Sequence, residues 1–319
     1  MFCAVLILNY NNYQDTIQCV DSILKYNTAP VKFVVVDNGS QERGCIDALD
    51  RYFRNRFQTD YQRLGQDAPV IRDLPKLTFV VNSSNEGYAR GNNMGLRFIF
   101  ADETIEDILV VNNDILFVED IIPALKDKRA HLDRCGVVSP LLYHKDAKSI
   151  EYNCARKAPT HWEIILPFLF MKRDCFGYIS RTSDKQKLLK TNPELINEAF
   201  FPIDLPSGSC MMVDKKLFES LHGFDPETFL YYEENILFAQ LTQKGLVNYC
   251  VPKAECIHLG GASTRSSSSS FLQLYNLESA DHYLKNYCRM TVAERCIWGL
   301  TKRMFRSRIK LMNFIKDRL

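Results

Sequence analysis

Apolar residues along this chain gather into short unbroken runs rich in β-branched side chains, separated by longer stretches of helical character. Four runs lie in the first third: Ala4–Leu8, Phe33–Val36, Leu77–Val81 and Ile108–Val111. None alternates with polar residues, which is the pattern of strands covered on both faces. Between them, Tyr13–Tyr26 carries Ile17, Val20, Ile23 and Leu24 on one side, with Asn12 as its cap. A second helix is expected from about Gly87 to Phe100. This alternation predicts an α/β fold, a Rossmann-like, mostly parallel central sheet flanked by helices.

The residues that follow the strands change the picture. The four runs end in Asn9-Tyr10-Asn11-Asn12, Asp37-Asn38-Gly39-Ser40, Asn82-Ser83-Ser84-Asn85 and Asn112-Asn113-Asp114. Such residues make turns and cap helices. Open α/β sheets also bind ligands outside the carboxyl ends of their strands, and here four ends are polar together. From Gly136 to about Ile203 the pattern is irregular and reads as an insertion or lid beside the site. Order resumes with a strand at Met211–Val213, a helix at Lys215–Leu221, the turn Gly223-Phe224-Asp225-Pro226, and a helix from Asn235 to Lys244 capped by Gly245. Ser266–Ser270 reads as a loop.

Composition narrows the class. The 319 residues suit one large α/β domain or one domain with an appended lobe. A net charge of +2 carries no signature of a nucleic-acid partner. The 11 cysteines contain no Cys-x-x-Cys pair, which points away from zinc ribbons and disulfide frameworks and toward a reducing compartment. The apolar N-terminus lacks a basic leader and reads as a strand. No apolar run approaches the roughly 20 residues that span a bilayer.

In order along the chain, Leu6-Ile7-Leu8-Asn9-Tyr10-Asn11, Val35-Val36-Asp37-Asn38-Gly39-Ser40, Asn85-Glu86-Gly87 through Gly95, Val111-Asn112-Asn113-Asp114, Gly223-Phe224-Asp225 with Tyr232-Glu233-Glu234, and His258-Leu259-Gly260-Gly261-Ala262-Ser263 resemble the motifs of glycosyltransferase family 2. Within it, the chain is similar to the rhamnosyltransferase-like branch of bacterial surface-polysaccharide assembly. The resemblance covers roughly residues 3 to 265. It implies a GT-A fold over 1–265, with a nucleotide-sugar half at 1–135, an acceptor half at 136–265, and a separate helical extension at 266–319. It further implies an inverting, hexosyl-type transfer from a UDP- or dTDP-sugar to a glycan or lipid-linked acceptor, assisted by Mn2+ or Mg2+. Two positions depart from the family pattern: Asn112 stands where many relatives carry Asp, and Ile236 where a second carboxylate is common.

The chemistry assigns roles. A departing diphosphate gains charge that a divalent cation stabilises as a Lewis acid. Asp114 at a strand end suits that cation, and the resemblance makes His258 the second ligand. Asp37 can accept the imide hydrogen of uracil or thymine, with Asn9 and Asn38 positioning base or ribose. Arg90 either contacts a phosphate or holds its helix, and Asn93 and Asn113 complete the expected nucleotide-sugar set. Inversion needs one carboxylate to deprotonate the acceptor hydroxyl, which falls to Glu234. Glu233 is expected to hold the acceptor or to raise the proton affinity of Glu234. A catalytically idle nucleotide- or glycan-binding homologue and a sugar-nucleotide nucleotidyltransferase are the alternatives.

The tail from 294 on is basic, with Trp298, Phe305, Met312 and Leu319 at heptad spacing. It either lies on an anionic bilayer or packs on the body with a solvated basic face. The expected location is cytoplasmic, and the first option would hold the protein peripherally on the inner face of the cell membrane.

Overall fold

The computed structural model describes residues 1–171, 178–260 and 269–316. The four apolar runs become strands β1 (Phe2–Asn9), β2 (Val31–Asp37), β4 (Leu77–Val81) and β5 (Ile105–Asn112). A short strand β3 (Tyr61–Gly65) joins them at the sheet edge, and its exposed residues explain why it carries no apolar run. The remaining strands are β6 (Ile115–Phe117), β7 (Cys135–His144), β8 (Ala155–Arg156), β9 (Phe201–Ile203), β10 (Leu205–Pro206), β11 (Cys210–Asp214) and β12 (Val247–His258). The large sheet runs β3-β4-β2-β1-β5-β11-β7-β12-β6, with β9 on β12. Pairing is parallel from β3 to β5 and again between β7 and β12; β11 and β6 run antiparallel to their neighbours.

The unbroken runs follow from burial on both faces. In β1, Val5 and Ile7 face one core while Ala4 and Leu6 face the other, and in β2 Phe33 and Val35 oppose Val34 and Val36. Helices Tyr13–Tyr26 and Cys45–Phe57 cover the first face with Val20, Ile23, Leu49 and Phe53. Helix Gly87–Ala101 covers the second with Leu96, Phe98 and Ile99. Each such fully buried side chain contributes about 1.5–3 kcal/mol relative to exposure. Asn12 caps its helix as expected, its side chain accepting from Asp15 N.

One expectation is corrected. The stretch from Gly136 is not an inserted lid at its start: residues 135–144 form the interior strand β7, and the irregular part begins only after it. β7 lacks a clear signature because Ser139 and Pro140 interrupt its apolar residues. The halves 1–135 and 136–265 also share one sheet, since β6 pairs with β12. Of the serine run, 266–268 lie outside the described residues, as do 261–263 of the late histidine loop, while Ser269 and Ser270 open the penultimate helix, Ser269–Asn286.

The last helix, Val292–Lys316, settles how the heptad residues are used. Trp298 and Phe305 are buried, and both pack edge-on against Phe168 of helix His161–Leu169, with centroids 5.5 and 5.1 Å apart. The indole N–H of Trp298 donates to Asp281 Oδ1 at 2.8 Å. These two side chains therefore belong to a third apolar cluster with Ile164, Ile236, Leu277 and Ile309 and are not available to a bilayer. Met312 stays exposed, and Leu319 lies outside the described residues. No helix among the described residues is long and apolar enough to cross a membrane.

Candidate active site

The ends of β4, β2, β1 and β5 lie side by side, and their polar residues interlock. Asn9 Nδ2 donates to Asp37 Oδ2 at 2.7 Å, and Asn9 Oδ1 accepts from Thr16 Oγ1 at 2.7 Å and Asn113 Nδ2 at 3.3 Å. Asn38 Nδ2 donates to Asn85 Oδ1 and to the Gly87 carbonyl, both at 3.0 Å, while its Oδ1 accepts from Asn82 Nδ2 at 3.1 Å. Above this floor opens a cavity of about 350 Å³. Its polar wall is Asn38, Asn85, Asn112, Asn113, Asp114 and His258; its apolar wall includes Tyr10, Tyr88, Phe229, Leu272 and Tyr275.

The expected nucleotide residues thus divide. Asn38 and Asn113 face the cavity. Asn9 and Asp37 lie beneath it, fully buried. Asp37 accepts from Asn9 Nδ2, Ser40 N and Ser40 Oγ, so both oxygens are turned toward protein donors and neither meets the cavity where an imide would sit. Arg90 holds structure: its Nε donates to the Pro226 carbonyl at 2.8 Å, with Glu227 nearby. Asn93 clamps the Phe224 backbone, donating to its carbonyl at 2.7 Å and accepting from its N–H at 2.9 Å. Both residues fasten helix Gly87–Ala101 to the Gly223-Phe224-Asp225-Pro226 turn rather than lining the cavity. Gly87 makes that approach possible. Its φ is 82°, and a Cβ there would lie 2.3 Å from the Phe229 carbonyl oxygen, which accepts from Tyr88 N at 2.7 Å.

Asp114 and His258 come together at the cavity floor. His258 ends β12, pairs with Ile115 of β6, and places Nε2 at 3.2 Å from Asp114 Oδ2. The next residue reinforces this, Leu259 N donating to the Asp114 carbonyl at 2.8 Å. Glu151 is the partner that sequence reasoning missed: its Oε2 lies 2.6 Å from His258 Nδ1. Burial disfavours the imidazolium, but the hydrogen bonds and charges of Asp114 and Glu151 outweigh it and raise the pKa from 6.5 to about 10. Two carboxylates about one imidazole attract positive charge to this spot. Asp114 and His258 Nε2 offer one oxygen and one nitrogen of the kinds a divalent cation takes, with Glu151 fixing the ring from its far nitrogen, while no cluster of three or more metal-ligating side chains converges among the described residues.

The paired glutamates begin helix Glu233–Gln243. They follow Tyr231 and Tyr232, both left-handed at φ 76° and 71°. Each such non-glycine residue costs on the order of 1–3 kcal/mol and persists only where packing enforces it. Glu234 Oε1 accepts from Gly208 N at 3.1 Å, and the Gly208 carbonyl accepts from the cavity residue Tyr88 Oη at 2.6 Å. Glu234 is therefore one residue removed from the cavity wall. Glu233 is buried deeper. Desolvation first, and then the charge of Glu234, push its pKa from 4.5 to about 8. Ile236, at the missing carboxylate position, is buried in the cluster that holds Trp298.

The chain is similar to known proteins in sequence and in fold. The family described as glycosyl transferase family 2 matches residues 4–221. The chain is 25% identical over 253 residues to N-acetylglucosaminyl-diphospho-decaprenol L-rhamnosyltransferase of Mycobacterium tuberculosis, a match covering 77% of this chain and 72% of that protein. It is 22% identical over 231 residues to the low-salt glycan biosynthesis hexosyltransferase Agl10 of Haloferax volcanii, covering 72% of this chain and 58% of the relative. Among solved structures, GalNAc-T7 with UDP, GalNAc and Mn2+ superposes with a TM-score of 0.60 at 13% identity, over 89% of this chain and 48% of that one. The chain thus spans about half the length of that structure, and the likeness is one of fold, the GT-A fold. With the strand-end motifs, the sheet and the family match in agreement, the chain belongs to glycosyltransferase family 2.

Proposed function

We propose that this chain is an inverting, metal-dependent hexosyltransferase that moves a sugar from a UDP- or dTDP-sugar to a glycan or lipid-linked glycan acceptor in cell-surface polysaccharide assembly, working at the cytoplasmic face of the membrane. The observation that carries the reading is the Asp114–His258 pair, 3.2 Å apart on the floor of the strand-end cavity and braced by Glu151. The rhamnosyltransferase and hexosyltransferase relatives support the sugar-transfer class and the surface-glycan setting.

The residues divide the work. Asp114 and His258 Nε2 would hold Mn2+ or Mg2+, which as a Lewis acid stabilises charge developing on the departing diphosphate. Glu151 keeps the imidazole aimed at that position. Asn85 and Asn113 present hydrogen-bonding groups to the nucleotide, Asn38 holds the turns at its rim through both ends of its amide, and Tyr10, Tyr88, Phe229 and Tyr275 exclude water from it. Asp37 acts through Asn9 and Ser40 by holding the turn beneath the base. Deprotonation of the acceptor hydroxyl falls to Glu234, the member of the pair nearer the cavity, whose carboxylate is steadied by Gly208 N–H while Glu233 is buried behind it.

The test is metal-dependent hydrolysis and transfer across a panel of UDP- and dTDP-sugars. Asp114→Ala is expected to keep its fold and lose nearly all turnover. His258→Ala should raise the metal concentration needed for half-maximal rate. Near-normal turnover of Asp114→Ala at saturating manganese overturns the metal assignment. Donor binding without turnover under any metal would make the chain an idle nucleotide-binding homologue.

A further inference from the structure

The last helix is apolar on two opposite faces. One buries Trp298, Thr301, Phe305 and Ile309 against the body. On the other, Leu300, Met304, Leu311 and Phe314 are 62%, 50%, 59% and 53% exposed. At 3.6 residues per turn these four, with the exposed Ser307 between them, fall along one stripe. Arg303 and Lys310 border the stripe on one side and Arg308 on the other, and Arg303 and Lys310 are exposed. Lys302 and Arg306, farther round, are instead tied to Asp281 and Glu278.

A second observation joins this stripe to the cavity. Ser270 Oγ donates to Asn313 Oδ1 at 2.8 Å, so the start of the penultimate helix lies beside the end of the last one. There Phe271 is 61% exposed, and its neighbour Leu272 lies on the cavity wall. Exposed apolar side chains therefore run from the last helix to the rim of the site.

We infer that this stripe docks the protein on an anionic lipid bilayer, with the last helix in the plane of the interface and the cavity rim next to the lipid. Charge selects this occupant. The helix carries seven basic residues against Glu294, and although Lys302 and Arg306 are paired with Asp281 and Glu278, Arg303, Arg308 and Lys310 flank the stripe itself. A second copy laid on the same stripe would set like charges against one another, whereas anionic headgroups neutralise them while the apolar stripe enters the acyl boundary. The helix is not apolar enough to span. The inference deepens the lipid-linked part of the proposed function, because a lipid-borne acceptor would reach the cavity along this rim, but its test needs no turnover.

Full-length protein is cosedimented with phosphatidylcholine vesicles with and without phosphatidylglycerol. The wild type is expected to bind only the anionic vesicles and to weaken with salt. Leu300→Ser with Met304→Ser and Leu311→Ser should bind at least tenfold more weakly at an unchanged melting temperature, because these side chains meet solvent. Arg303→Glu with Lys310→Glu should remove the preference for anionic lipid, each lost basic residue being worth about fivefold. Failure of the wild type to bind anionic vesicles overturns the inference. So does full binding by both variants, or a dimer in sedimentation equilibrium that the triple serine variant abolishes. Metal-dependent donor hydrolysis without vesicles, run on the same preparations, separates failure of docking from failure of the transferase reading.

Discussion

The two adjacent glutamates differ because one backbone step carries Glu233 into the body and Glu234 toward Gly208 and Tyr88. Glu234→Gln is expected to lower kcat about 100- to 10,000-fold, the usual loss on removing a positioned base, with donor affinity retained. Glu233→Gln should stay within a few-fold of wild type, and the reverse ranking in steady-state kinetics would exchange the two roles. Glu233 also gives the fold a pH dependence. Its native pKa is raised from 4.5 to about 8, so between those values the folded state holds a proton that the unfolded chain has released. Stability therefore falls as pH rises through that window, and the contribution is greatest below it. Glutamine has no such proton, so melting curves should show Glu233→Gln gaining on wild type from about pH 4.5 to about 8. The acidic pair was legible in the sequence, but the depth of each member was not, because burial depends on how the helix it begins docks on the sheet. Glu151 was illegible for the same reason: it lies in a segment without periodicity and acquires meaning only when β12 brings His258 to it.

At the scale of elements, the buried parallel strands and their flanking helices were readable because burial on two faces leaves an unbroken apolar run. Strand β3 and helix Cys45–Phe57 were not picked out, the first because its residues are exposed and the second because charged residues separate its apolar ones. The last helix taught the opposite lesson. Its heptad of Trp298 and Phe305 has the same signature whether the partner is lipid or protein, and only the position of Phe168 decides between them. Trp298→Ser should consequently destabilise the fold by about 3–5 kcal/mol, as for large aromatic truncations in cores, with Asp281 losing the indole donor as well. Urea unfolding measures this. A stability within about 0.5 kcal/mol of wild type, the range of surface substitutions, would mean that the helix is not packed as described.

For the whole molecule, the extension after residue 265 is part of the working structure. The penultimate helix supplies Leu272 and Tyr275 to the cavity, with Tyr275 stacked on Phe229 at 4.2 Å, and the last helix packs against it. Removing residues from Val292 onward should expose Ile164, Phe168 and Leu277, lower the melting temperature and weaken donor binding together. A truncated chain with wild-type melting temperature and donor affinity would show the tail to be independent. The family motifs end before this region, so its contribution to the cavity could not be read from them.

The pairing of His258 with Ile115 has a consequence for how the protein comes into being. Asp114 leaves the ribosome long before β12, yet β12 carries His258 and, as it docks between β7 and β6, presents the histidine to both carboxylates. A nascent chain that has made the whole strand-end floor still lacks this imidazole. The Asp114–His258–Glu151 group is thus complete only once β12 has joined the sheet, and a chain arrested before residue 247 is expected to bind metal more weakly than one that carries β12.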